Sequence, residues 1–86
     1  MIDAQCRSEE KYSKLALAYE GEEEKKRVHD CVQTVIAQNK IQPETYISCS
    51  SSGKEILVIE YHEDLDREAG DIFEKMLKSL ELSNCD

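Results

Sequence analysis

The stretch EILVIEYHED, Glu55 to Asp64, sets four consecutive aliphatic residues into a chain that is otherwise acidic and polar. A short apolar run of this kind, with a turn signal before it and charges after it, reads as a strand covered on both faces. Upstream, Thr45 to Ser50 is a second extended run, and Ser-Ser-Gly-Lys joins the two with a glycine that can take a positive φ. The pair, Thr45 to Ser50 and Glu55 to Tyr61, is therefore expected to be a β-hairpin.

On both sides of the hairpin the period becomes helical. From Gly21 onward, Val28, Cys31, Val32, Val35 and Ile36 recur at spacings that share one helical face. Glu22, Glu23 and Glu24 occupy its first turn, where the helix dipole favours negative charge, and Asn39 with Pro43 beyond it marks an end. Past Asp64, the residues Leu65, Ala69, Ile72, Phe73, Met76, Leu77 and Leu80 define a second amphipathic helix, with Lys75 and Lys78 towards its end. Gly70 lies off that apolar stripe and weakens the helix by roughly 1 kcal/mol relative to Ala without breaking it.

Tyr12 to Glu20 fits either period: Leu15, Leu17 and Tyr19 alternate as in a strand, while Tyr12, Leu15, Ala16 and Tyr19 fit a helix face. A lone hairpin is marginal, and a third strand would give two helices a proper face to cover, which favours the strand. The expected fold class is α+β in the order β-α-β-β-α, a three-stranded antiparallel sheet with two helices on one face. Residues 1–86 make one domain, with 1–11 expected as a loosely ordered leading segment.

Composition narrows the function classes. Eleven Lys and Arg against 19 Asp and Glu give a formal charge of -8, which repels a phosphate backbone. There is no Trp and a single Phe, and no basic run is interleaved with aromatics, so no stacking platform for nucleic acid is visible. No apolar run approaches the ~20 residues of a membrane span and the amino terminus has no secretory pattern, so a soluble, cytoplasmic protein is expected, with a nucleus as the other compartment in a eukaryote. Cys6, Cys31, Cys49 and Cys85 are widely scattered, and in that compartment they are expected to be reduced and unpaired.

The candidate chemical groups favour plainer readings. His29 and Cys31 are two apart on a helix and point in different directions, and no CxxC or HxxxH pairs two ligands, so neither a metal site nor any cofactor is expected. His62 beside Glu63 and Asp64 is a surface histidine with acidic neighbours, without the converging groups of a catalytic site. Ser50-Ser51-Ser52 before Gly53-Lys54 precedes a strand rather than a helix, which suits a turn better than a phosphate cradle. The expected protein is not an enzyme.

What remains is the opening run. Only two of Ile56, Leu57, Val58 and Ile59 can face the helices, so the outer pair needs another cover, and a second polypeptide is expected to provide it. A different class of function would use the acidic surface instead, as a small inhibitor or nucleic-acid mimic for a basic partner.

KLALAYEGEEEKKRVHDCVQTVI followed by ETYISCSSSGKEILVIEYHEDLDREAGDIFEKMLKSLELS resembles the small KH-like dimerisation subunit of the KEOPS (EKC) tRNA-modification complex, the CTAG/Pcc family, over Lys14 to Ser83. The resemblance implies a truncated KH-like fold without the GxxG loop of nucleic-acid-binding KH domains. It implies a non-catalytic accessory subunit that forms a homodimer, or a heterodimer with a paralogous small subunit. Such a subunit binds the catalytic threonylcarbamoyltransferase subunit and supports formation of threonylcarbamoyladenosine (t6A) in tRNA, which it meets only indirectly. An acidic paralogue that pairs with the principal subunit is the other form the resemblance allows. The expected partner-interface residues are Ile56, Leu57, Val58 and Ile59 on the strand and, by position in the family, Ile72, Phe73, Met76, Leu77 and Leu80 on the last helix.

Overall fold

A computed structural model, describing residues 2–9, 12–39, 42–62 and 66–82, orders the chain as β1 (Asp3–Glu9), β2 (Tyr12–Tyr19), α1 (Gly21–Ala37), β3 (Glu44–Cys49), β4 (Glu55–Tyr61) and α2 (Asp66–Ser79). The four strands form one antiparallel sheet in the order β1-β2-β4-β3. The fold class is thus α+β with both expected helices and the expected hairpin. The strand count is not as expected: β1 adds a fourth strand where a loose leading segment was anticipated.

β1 was hard to foresee because only Ile2 and Ala4 at its start are buried, and Asp3 and Gln5 to Glu9 are exposed. Its residues show no apolar alternation. It is recruited by backbone pairing along the whole of β2, from Asp3 opposite Ala18 to Glu9 opposite Tyr12. Cys6 in this strand is disulfide-bonded, which corrects the expectation of four reduced thiols, whereas Cys31 and Cys49 are free. Distance along the sequence says little about proximity once β1 lies beside the helix layer: Cys6 shares a hollow with Phe73 and Leu77 of α2.

β2 resolves the ambiguous segment as a strand. Ser13, Leu15, Leu17 and Tyr19 are buried, and Tyr12, Lys14, Ala16 and Ala18 alternate with them on the other face. Leu15 and Leu17 meet Leu57 and Ile59 of β4 across the ladder, in antiparallel register with Ile59 and Leu57 respectively. Onto this face α1 places Val28, Val32 and Val35, and α2 places Ile72, Phe73, Met76 and Leu77 with Leu80 just beyond it. Ridged aliphatic layers of this kind close a core in which Leu15, Leu17, Val28, Ile59 and Met76 lose essentially all contact with solvent.

The turns follow local chemistry. Gly53 takes φ of +88° in the hairpin loop, where the Gly53 N–H donates to the Ser50 carbonyl at 3.0 Å and the Ser50 N–H to the Lys54 carbonyl at 2.8 Å. α1 is closed by Asn39, whose Nδ2 donates to the Val35 carbonyl at 2.7 Å. α2 ends in a left-handed residue, Glu81 at φ of 60°, with the Leu82 N–H reaching back to the Leu77 carbonyl at 2.8 Å.

The four aliphatic residues of β4 divide as a strand must. Leu57 and Ile59 face the helices, and Ile56 and Val58 face away from them with Glu60. Val58 is nevertheless only 3 % exposed in the single chain. Its cross-strand neighbours are Ala16 and Tyr46, and the Tyr46 hydroxyl reaches on to Glu60, so the ring runs alongside Val58. An aromatic side chain of the same sheet, not a second polypeptide, provides that cover.

Candidate interaction edge and open-face polar cluster

Of the nine residues expected at a partner interface, Leu57, Ile59, Ile72, Phe73, Met76, Leu77 and Leu80 belong to the chain's own core, and Val58 is buried beneath Tyr46. Only Ile56, half-buried, keeps appreciable surface. α2 turns its apolar stripe inward, and its outward positions include Asp71, Glu74, Lys75 and Lys78. The uncovered apolar surface lies one strand further out.

β3 is exposed at all six positions, and Tyr46 (42 %) and Ile47 (48 %) are the large hydrophobic residues left in solvent among those described. The cause is the width of the helix layer: α1 and α2 pack against each other and over β2, leaving the outermost strand beyond their reach. Ile47 lies opposite Leu57 and so shares the helix-side face, where a groove of about 220 Å³ opens between β3 and α1. Val32, Ile36, Ile47 and Leu57 make its apolar walls, with His29 and Gln33 at the lip.

The two edges of the sheet differ in character. β1 presents Asp3, Arg7 and Glu9, and charges along an edge discourage pairing with another strand. β3 carries a single charge, Glu44 at its start, followed by Thr45, Tyr46, Ile47, Ser48 and Cys49. A β-branched and aromatic edge without lysine or proline in it is suited to accept a further strand.

On the open face, Glu60 anchors a polar cluster. Its Oε2 accepts hydrogen bonds from the Tyr12 hydroxyl at 2.6 Å and the Tyr46 hydroxyl at 2.9 Å. His62 Nε2 lies 3.3 Å from Glu60 Oε1 and 3.3 Å from Glu44 Oε2, and its ring packs against Tyr12 at 5.4 Å between centroids. The Tyr12 hydrogen bond, with that of Tyr46, holds the Glu60 carboxyl below its ordinary range, and the same bond to Glu60 pushes the Tyr12 phenol up to about 12.

At the other end of β4 and on the helix side, Glu55 is held in a comparable way. The buried Tyr19 hydroxyl donates to Glu55 Oε2, Lys25 Nζ lies 3.3 Å from the same oxygen, and His29 Nε2 is 3.1 Å from the Tyr19 oxygen. Because Tyr19 gives its proton to Glu55, His29 donates through Nε2–H. Burial, then the bond to Glu55, raises the Tyr19 phenol, and that bond holds the Glu55 carboxyl low.

Glu44, Glu60 and His62 are a group whose ligand atoms all fall within 4.8 Å of one another. Of the histidine and cysteine positions weighed from the sequence, His62 joins this group, against the expectation that no groups converge on it, whereas His29 turns to Tyr19, and Cys31 Sγ to the Met76 carbonyl at 3.5 Å. The missed signal was register: Glu60 and His62 are two apart at the end of β4, and Glu44 is the cross-strand partner of Glu60.

Among the described residues, no helix is long and apolar enough to cross a membrane. With its two helices on one face of a four-stranded antiparallel sheet, the chain defines an α+β class with one bare sheet edge. Compared with known proteins, it matches no family model, no curated protein sequence and no solved structure.

Proposed function

We propose that this chain is a non-catalytic assembly subunit that associates through the bare edge of β3 with a second copy of itself. The observation that carries this reading is the exposed β3 edge with Ile47 beside an apolar groove. An antiparallel pair of β3 strands about a two-fold axis through Ile47 keeps both helix layers on one side of a continuous sheet. That register sets Ile47 against its copy, Tyr46 against Ser48 and Thr45 against Cys49, with no like charges opposed. The two Ile47 side chains then meet over the grooves that α1 leaves open, which removes apolar surface that a small core cannot cover.

The resemblance to the KEOPS dimerisation subunit supplies a setting. The observed order is β-β-α-β-β-α, and it reduces to β-α-β-β-α only when β1, which precedes the stretch that carries the resemblance, is set aside. In that setting the KH-like dimer works in the cytoplasm, binds the catalytic threonylcarbamoyltransferase subunit and supports t6A formation, with tRNA contacted only indirectly. The contact would use the outward positions of the helices, since the apolar stripe of α2 is spent on the core.

Cross-linking tests the register directly. Thr45→Cys places a thiol opposite the free Cys49 of the other copy, and paired strand positions lie within disulfide reach at about 5 Å between Cα atoms. Mild oxidation of the variant is expected to give a covalent dimer that Cys49→Ser abolishes. Monomeric product under conditions in which both thiols are consumed by an alkylating probe contradicts the pairing.

A further inference from the structure

We propose that Glu44, Glu60 and His62 form a binding site for a divalent transition cation of the zinc type on the open face of the sheet. The three side chains come from adjacent strand ends of one hairpin, so the β3–β4 ladder fixes their separation. His62 Nε2 is 3.3 Å from one oxygen of each carboxylate. The three ligand atoms lie within 4.8 Å of one another. Tetrahedral ligands about 2.0–2.1 Å from zinc are themselves roughly 3.3–3.4 Å apart, so His62 already stands at ligand spacing from each carboxylate, and the exposed Glu44 side chain turns towards Glu60 to complete the set.

The surroundings suit the same ion. Glu60 is 12 % exposed at its side chain, and both tyrosine hydroxyls bind its Oε2, leaving Oε1 turned towards His62. Such outer hydrogen bonds fix a ligating carboxylate in place. No lysine or arginine forms an ion pair with Glu44 or Glu60 among the described residues, and two carboxylates in a chain of net charge -8 attract a cation. The cation takes the Nε2 lone pair, and any proton on that nitrogen leaves to solvent. Imidazole with carboxylates favours zinc over the all-oxygen sites of calcium or magnesium, and three protein ligands leave a fourth position open. Nothing in this site depends on the assembly reading, because every ligand comes from one chain.

The test uses the full chain in a Cys31→Ser/Cys49→Ser background, so that free thiols do not bind metal. Titration with cobalt(II) chloride alone, followed by zinc displacement, is expected to show saturable one-to-one binding with visible ligand-field bands and no thiolate charge-transfer band. His62→Ala and Glu44→Gln, both at exposed positions, should each weaken binding by at least about tenfold, and Tyr12→Phe, which removes only an outer hydrogen bond, by about tenfold. Absence of saturable binding, or affinity unchanged in both His62→Ala and Glu44→Gln, overturns the site.

Discussion

Glu55 and Glu60 stand at opposite ends of the inner strand β4 and on opposite faces, and each is tied down by tyrosine. Here both are held below their ordinary value of 4.5, so each contributes stability that is complete above that value and is lost as the pH falls through the folded one. Tyr12 works in the opposite direction: its phenol is raised from 10.0 to about 12, so its contribution is complete below pH 10.0 and is lost as the pH climbs towards 12. Urea midpoints measured against pH should therefore fall at both extremes. Glu60→Gln is expected to flatten part of the acid limb and Tyr12→Phe part of the alkaline limb. Parallel curves for wild type and both variants would show that the cluster carries no linkage.

At the scale of elements, the hairpin and both helices were legible because their periods are unmixed. Leu57 and Ile59 lie inward on β4, and Val28, Val32 and Val35 repeat down one face of α1. The cover over Val58 was not legible, since it depends on where the Tyr46 ring lies once β3 and β4 are paired. β1 was missed for a related reason: a strand whose side chains are exposed from Gln5 to Glu9 is specified by backbone pairing, which leaves no pattern in composition. The bare edge of β3 likewise depends on the width of the helix layer, a tertiary property that residue types do not encode locally. Gly70 offers a test at this scale. It sits exposed within α2, and a Cβ built there meets nothing within 4 Å. Gly70→Ala should stabilise the chain by about 0.5–1 kcal/mol through the lower entropy of the unfolded state. Thermal unfolding with no gain, or a loss, would mean that α2 is not an ordinary helix at this position.

The whole molecule joins a closed side to an unfinished one. Both helices, β2 and β4 account for nearly all of the core, and the charged residues of β1 protect one border of the sheet. β3 has neither protection. A chain this small buries only about 60–65 % of its unfolded surface, so covering Ile47 and the groove beside it by association raises stability with the logarithm of chain concentration. The uncovered apolar surface lies not on the aliphatic run of β4, as the sequence predicts, but on the neighbouring strand β3. Sedimentation equilibrium over a dilution series of wild type and Ile47→Lys tests the assembly claim most directly. A reversible dimer is expected for the wild type and a folded monomer for the variant, whereas a wild-type monomer at every concentration, or a dimer indifferent to lysine at position 47, rules out pairing through β3.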